Sequence, residues 1–382
     1  MIVAVMGGGQ LGRMLGLAGI PMGMRFRFLE PAADCPAAAV GEVVVGAYDD
    51  RKALKALVRG ADVVTYEFEN VPVAAARWIE SLAVESGPSA DPFHVDLCPG
   101  SRSLLVAQDR VEEKAFFERC GLPVQSYAAV EDEQSLARAI EVVGVPSVIK
   151  TRRLGYDGKG QCVVRDADQL LPAWTKLGRG PCILESFVPF AREVSMVAVR
   201  ARDGDMRWWP LVENEHVGGI LAVSRVPATD AAALERSAQR HVQSVADALE
   251  HVGVLAIEFF VVEEAGSVRL IANEMAPRVH NSGHWTIEGA VTSQFANHLR
   301  AVAGLPLGST ALRGAAAMVN LVGDVPDLAD LLRHDGVTVH LYGKERRAGR
   351  KLGHVTVVGA DRVVVARTTA SVRELAWGAA AV

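Results

Sequence analysis

Five apolar residues, Ile2–Met6, run straight into Gly7-Gly8-Gly9-Gln10-Leu11-Gly12, and a helical pattern resumes at Arg13–Leu17. A strand that breaks into a glycine turn and restarts as a helix commits the chain to crossover connections, which bring later strands in parallel beside the first. Arg25–Leu29 and Asp62–Tyr66 read as further strands and Arg51–Val58 as a helix between them. The first hundred residues are therefore expected to form a doubly wound parallel sheet. The rhythm changes at Pro99-Gly100-Ser101. A helix over 109–120 stops at Gly121 with Pro123 beyond, and another over 134–143 stops before Gly144 and Pro146. Strands follow at Ser147–Lys150, Cys162–Arg165, Cys182–Glu185, Glu193–Ala201 and Met206–Glu213. In the helix expected over 231–252, Leu234, Ala238, Val242, Val245, Leu249 and Val252 recur at helical spacing before Gly253. Val254–Val262 and Val268–Met275 flank EEAGS as a hairpin, and the tail from about 315 reads as short β segments. The chain is thus α/β at its start and α+β beyond.

Its 382 residues suffice for two or three domains. A net charge of −5 argues against a surface built for nucleic acid. Cys35, Cys98, Cys120, Cys162 and Cys182 are scattered with no CxxC pair, which excludes a zinc ribbon and suits reduced thiols. Nothing resembles a leader, and no apolar run is long enough for a membrane span. A cytoplasmic protein is expected.

Two glycine loops compete for phosphate. Gly7-x-Gly9-x-x-Gly12, with Glu30 at the end of the next strand, fits a dinucleotide fingerprint, and also a tight strand-to-helix turn that binds some other phosphate or nothing. The acidic run TYEFENVP (65–72) ends a strand, where Glu67, Glu69 and Asn70 can face a ligand or solvent. The second loop, Thr151–Gln161, carries Arg152, Arg153 and Lys159 among Gly155, Gly158 and Gly160, directly after Lys150. A cationic, glycine-rich hairpin can fold over a triphosphate.

Glu258 and Glu274 lie symmetrically about Gly266 in the expected hairpin. Opposed on one face, their Cβ atoms would stand about 5 Å apart, and such a pair repels unless a cation or shared proton intervenes. The same register puts Ala256, Phe260, Ala272 and Ala276 on that face. Oxygen ligands beside a polyphosphate site suit Mg²⁺; a register slip of one residue would separate the pair. Arg278, His280, Asn281, Ser282 and His284 follow closely, a polar density suited to a phosphate and a polar heterocycle. Ser293 lacks the G-x-S-x-G context of a covalent nucleophile. The basic tail residues Lys344, Arg346, Arg347, Arg350 and Lys351 fit either a solvated face or a phosphate clamp.

In order along the chain, GGGQLGRML, VVTYEFENVP, QDRVEEKAFF, GYDGKGQ, ENEHVGGIL, NEMAPRVHNSGHWTIEGAVTSQF and GRKLGH resemble the ATP-grasp superfamily. Within it, the chain resembles the 5-(carboxyamino)imidazole ribonucleotide synthases. The resemblance implies an N-terminal doubly wound pre-ATP-grasp domain (1–100), a central ATP-grasp unit (101–305, with a lid subdomain about 122–187) and a small C-terminal β subdomain (306–382). It implies an ADP-forming ligase of purine biosynthesis. That enzyme carboxylates the exocyclic amine of aminoimidazole ribonucleotide with ATP, bicarbonate and Mg²⁺, through carboxyphosphate, as a homodimer. Positions matching the ATP site are Arg110, Lys150, Gly155, Tyr156, Asp157, Gly158, Lys159, Gly160, Gln161, Glu185, Ser186, Phe187, Val188, Glu193, His216, Asn273 and Glu274. Glu258 and Glu274 match the metal ligands. Gln10, Leu11, Glu67, Asn70, Tyr156, Asp157, Arg278, His280, Asn281, Lys344 and Arg350 match the ribonucleotide side, with Asp157, Arg278 and His280 as catalytic candidates. Two departures stand out: Leu154 replaces a glycine of the family loop, and the Lys344–Arg350 spacing is one residue shorter. A formate-using transformylase of the same superfamily, a nicotinamide oxidoreductase and a non-catalytic nucleotide-binding module are the rival readings. The second loop and the glutamate pair already account for a nucleotide, so no nicotinamide binding is expected, and the first loop is expected to hold the ribonucleotide phosphate or frame its crevice.

Overall fold

The computed structural model describes residues 1–85, 95–155, 160–264 and 266–378. Residues 2–66 together with 96–97 form a parallel sheet in the spatial order Glu42–Val45, Arg25–Glu30, Ile2–Met6, Val63–Tyr66, Asp96–Leu97. Order reverses beside Ile2–Met6, and open sheets of this kind place ligands at that reversal, beyond the strands' carboxyl ends. Val3, Ala4, Val5 and Met6 are fully buried, as a central strand covered on both faces requires.

A four-stranded antiparallel sheet follows, ordered Tyr127–Val130, Cys182–Ser186, Ser147–Thr151, Gln161–Val164. The third sheet carries nine strands among the described residues. Its path runs from the hairpin Gly253–Glu264 and Ser267–Ala276 through Arg192–Arg200, Val212–Val217 and Ile220–Val226. It continues into Ala315–Val322, Lys351–Gly359 and Val337–Leu341. The C-terminal strands therefore extend the central sheet.

The expected strand Met206–Glu213 is split into Met206–Trp208 and Val212–Val217. Pro210 has no ladder donor, and the fully buried Trp209 turns inward between the two. The helix expected to end at Gly253 stops at Ala248, where Glu250 takes a left-handed φ of 50°. The tail is not only β: Arg362–Trp377 is a helix capped by Asp361, with Val365 and Val372 buried against the sheet. Leu154 adopts φ 63° with its side chain 72% exposed. The backbone thus keeps the left-handed conformation that glycine adopts without strain, at a cost of about 1 kcal/mol. Among the described residues no helix is long and apolar enough to cross a membrane.

Candidate active site

The hairpin pairs Glu258 directly with Glu274, but a bulge follows, and Phe259 faces Ala272. Asn273 is the extra residue. It re-aims the strand so that Asn273 and Glu274 both line the same cleft, together with Phe260. Ala272 is carried to the other face, among Ile257, Phe259 and Met275, against the sequence expectation. A one-residue insertion in pairing is invisible to a symmetric count about Gly266.

A bulge leaves backbone groups to satisfy, and one helix does so. Helix Arg110–Arg119 begins at Asp109, whose carboxylate accepts from the Val111 and Glu112 N–H groups. Its positions 110, 113 and 114 share a face. The Arg110 guanidinium donates to Glu274 at 2.9 Å, Glu113 accepts from the Met275 N–H at 2.7 Å, and Lys114 donates to the carbonyls of Ala272 and Asn273 at 3.0 and 2.6 Å. Glu113 and Lys114 were not singled out in the sequence. Their i, i+3, i+4 spacing from Arg110 is the only signal, and it is an ordinary helix pattern.

The cleft of about 330 Å³ collects most of the expected nucleotide positions: Arg110, Lys150, Gln161, Glu185, Ser186, Phe187, Val188, Glu193, His216, Asn273 and Glu274. Lys150 pairs with Glu185 at 2.6 Å, and Lys114 stands 3.6 Å from the same carboxylate. Burial alone would raise Glu185, but the two ammonium groups hold it at about 2. Phe260, expected on the glutamate face, stacks with Phe190 at a centroid distance of 4.7 Å to supply an apolar wall, and Phe190 is the member that sequence spacing does not reveal. His280, Asn281 and Lys351 complete the lining. Tyr156, Asp157, Gly158 and Lys159 lie outside the described residues; Gly155 and Gly160 flank them.

Burial and the neighbouring Glu274 charge push the Glu258 carboxyl up, whereas Glu274, open to the cleft on one side, is held low by Arg110 despite partial desolvation. The Asn273 Oδ1 is buried with no hydrogen-bond partner. Two opposed carboxylates and an unsatisfied amide oxygen make a hard, all-oxygen donor set, which suits Mg²⁺. Glu258 also belongs to a mixed set: its ligand atom and those of Glu193 and His216 lie within 4.8 Å of one another. The His216 imidazole is 3.2 Å from Glu193, and despite burial that carboxylate raises its pKa.

The expected ribonucleotide side assembles only in part. Gln10 opens the first helix and meets Lys344 from the tail, which brings those two together across the whole chain. Arg278 grips Glu69, one residue before Asn70. Asn281 exchanges amide hydrogen bonds of 3.1 and 2.7 Å with Asn320 of strand Ala315–Val322. Leu11, however, packs its side chain with Met14, Phe26 and Phe28, which leaves only its backbone for a ligand. Arg350 is half-buried away from the cleft lining, donating to the Glu345 carbonyl, and Lys351 takes the place beside the cleft. Arg152 and Arg153 do not face it either: both clamp Asp109, at 2.7 and 2.9 Å.

The first glycine loop is already filled with negative charge. Gly9 and Gly12 donate their N–H groups to Glu67, at 2.9 and 3.3 Å, and Gly8 donates to Glu30 at 2.8 Å. These are the amides that would cradle a phosphate at a helix N-terminus. The phosphate reading of this loop is therefore corrected, and framing a crevice is what remains. The fully buried Phe28 ring also lies 3.3 Å from where a Cβ on Gly12 would stand. NADH titrated against the protein should give no saturable fluorescence change in the micromolar range; saturation there would mean that the two carboxylates yield to a pyrophosphate.

Residues 1–96 match the ribonucleotide synthetase preATP-grasp domain family, 115–295 the ATP-grasp domain family and 316–368 the phosphoribosylaminoimidazole carboxylase C-terminal domain family. The N5-carboxyaminoimidazole ribonucleotide synthase of Pseudomonas aeruginosa is 48% identical over 375 residues, covering 98% of this chain and 99% of the relative. The crystal structure of N5-carboxyaminoimidazole ribonucleotide synthetase from Thermus thermophilus superposes with a TM-score of 0.90 at 48% identity, covering 99% of each chain. The Aspergillus clavatus synthase, solved with ADP and 5-aminoimidazole ribonucleotide, superposes with a TM-score of 0.85 at 28% identity, over 96% of each chain.

Proposed function

Because the chain belongs to the N5-carboxyaminoimidazole ribonucleotide synthase family of ATP-grasp ligases, we propose that its cleft joins bicarbonate to the exocyclic amine of 5-aminoimidazole ribonucleotide at the expense of ATP. The observation that carries this reading is the bulged hairpin. It points Glu258, Asn273 and Glu274 into a cleft that also holds Lys150 and Arg110 and is continuous with the Arg278–Asn281 segment. Bicarbonate oxygen attacks the γ-phosphorus, ADP leaves, and carboxyphosphate forms. Its breakdown to CO₂ and phosphate then lets the amine nitrogen bond to carbon and lose a proton. Such transfer is mostly positioning and charge stabilisation.

Lys150 and Arg110 face the phosphates as fixed cations. Glu193 accepts from ribose hydroxyls, and the Phe190–Phe260 wall covers an apolar face. Glu258, Glu274 and Asn273 would hold Mg²⁺, which when bound neutralises phosphate charge. Gln10, Lys344, Arg278, His280 and Asn281 bracket the ribonucleotide. His280 is half-buried at the cleft wall, and desolvation with the neighbouring Arg278 charge holds it down to about 3, so it is neutral at working pH and serves as a hydrogen-bonding group.

The test is ADP release by purified protein. It should require both aminoimidazole ribonucleotide and bicarbonate. Release supported by formate in place of bicarbonate would shift the assignment to a transformylase, and release indifferent to the ribonucleotide would overturn the ligase reading.

A further inference from the structure

Beneath the cleft, four polar side chains are buried in the interior of the third sheet. Ser195, Ser224 and Ser282 are completely inaccessible, and Asn214 is 7% exposed. Ser195 pairs directly with Glu258 across neighbouring strands, and Asn214 pairs with Ser224. Ser282 comes from the loop that closes over this row. Interior polar groups persist only when they are satisfied, and a run of hydroxyls satisfies itself in a single direction at a time.

Here the direction can be read. The Ser224 hydroxyl donates to Asn214 Oδ1 at 2.8 Å, and Asn214 Nδ2 donates to Ser195 Oγ at 3.0 Å. Ser195 has one proton and gives it to Ser282 Oγ at 2.7 Å. Ser282 then gives its own to His280 Nδ1, 2.9 Å away. A second donor agrees: the Ser282 backbone N–H also points at His280 Nδ1, at 3.4 Å. A nitrogen that accepts two hydrogen bonds carries no proton of its own. On the other side of the ring, Nε2 lies 3.5 Å from the Glu258 carboxylate, where a proton is favoured over a lone pair.

We propose that Ser224, Asn214, Ser195 and Ser282 are positioning residues that lock His280 in the Nε2–H tautomer, so that the imidazole presents a hydrogen-bond donor to the cleft. Asn214 sets the polarity of the whole chain, because its amide has distinct accepting and donating ends. The consequence for catalysis rests on the reading that His280 faces the ribonucleotide. A neutral imidazole locked this way donates to an acceptor on the substrate and does not withdraw the amine proton.

The experiment uses the whole protein labelled with ¹⁵N-histidine, with the His280 ring signal assigned by its absence in His280→Gln. Long-range ¹⁵N–¹H correlation should show an unprotonated Nδ1 and a protonated Nε2. Asn214→Asp offers only acceptor oxygens when ionised. It should turn Ser195 round, reverse the hydroxyls and move the proton to Nδ1. Ser282→Ala removes the 2.9 Å hydroxyl contact and leaves Nδ1 only the long backbone N–H at 3.4 Å, too weak to hold one form, so it should give a roughly equal mixture of tautomers, and Ser282→Thr should restore the single one; this pair decides the matter if Asn214→Asp does not fold. A wild-type signal with the proton on Nδ1, or a tautomer unchanged in Ser282→Ala, overturns the proposal. Ser282→Ala should also raise KM for the ribonucleotide about twofold, the factor set by halving the competent tautomer, with KM for ATP unchanged. A tautomer change without a KM change keeps the relay and removes His280 from the substrate site.

Discussion

Glu274→Gln should lower the rate of ADP formation roughly a thousandfold, the scale on which removing one preorganised charge-stabilising group acts. The substitution keeps the shape and one acceptor oxygen for Arg110, now 2.9 Å from the carboxylate, but removes the charge opposite Glu258. Because Lys114 and Glu113 hold the bulge by its backbone, the side chain can change without the strand losing its path. The fold should therefore survive, with a far-ultraviolet spectrum like that of wild type. Glu258→Gln should be impaired similarly or somewhat less. Chelation of divalent cations should silence wild type, and Glu274→Gln should need much more Mg²⁺ for whatever activity remains. Wild-type turnover of Glu274→Gln at low Mg²⁺ would remove the hairpin from the metal assignment.

The second large effect is on stability, at His298. This fully buried ring sits where three parts of the chain meet: it belongs to helix Gln294–Val302, its Nδ1 accepts from the Val254 N–H at 3.1 Å, and its Nε2 shares a hydrogen bond of 2.8 Å with Thr65 of the parallel sheet. Burial holds its pKa down to about 3, with His251 adding to the effect. In the unfolded chain the same group titrates near 6.5, so the unfolded state takes up the proton first. Stability from the neutral ring is complete above that value and is lost as pH falls towards 3. At pH 5 the unfolded-state pKa lies about 1.5 units above the medium, which corresponds to roughly 2 kcal/mol. Urea unfolding of wild type and His298→Gln at pH 7.5 and pH 5 isolates the term. The stability difference between them should shrink by about 2 kcal/mol at the lower pH. Groups common to both proteins cancel, among them Glu113, which burial pushes to about 8 and which acts in the opposite direction. Parallel pH profiles would refute the assignment.

Much of the architecture is legible in the sequence because it is written in local periodicity. Arg51–Val58 and the glutamate hairpin follow from spacing and turn chemistry alone. What escapes is what depends on partners distant in the chain. Strand Ile220–Val226 has its place in the sheet fixed by Ala315–Val322, far along the chain. The bulge at Asn273 is held by charges some 160 residues earlier. The acidic run around Glu67 reads as a ligand-facing loop, and nothing local reveals that its carboxylate already occupies the glycine amides sixty residues upstream. Arg152 and Arg153 mislead for the same reason: a basic pair beside glycines looks like a phosphate clamp until Asp109 is in place.

The shared sheet has a consequence for any attempt to shorten the chain. Ala315–Val322 covers the outer edge of Ile220–Val226, matching Val223 with Val319 and Val226 with Ala316. Leu321, Val355 and Val357 bury the surface beyond. A fragment cut before residue 315 would expose an apolar strand with a free row of N–H and C=O groups, a template for pairing with another molecule. It would also lose Asn320, on which Asn281 leans beside the cleft. Such a fragment should collect in inclusion bodies. The last segment thus covers the edge through which the sheet would otherwise pair with another molecule.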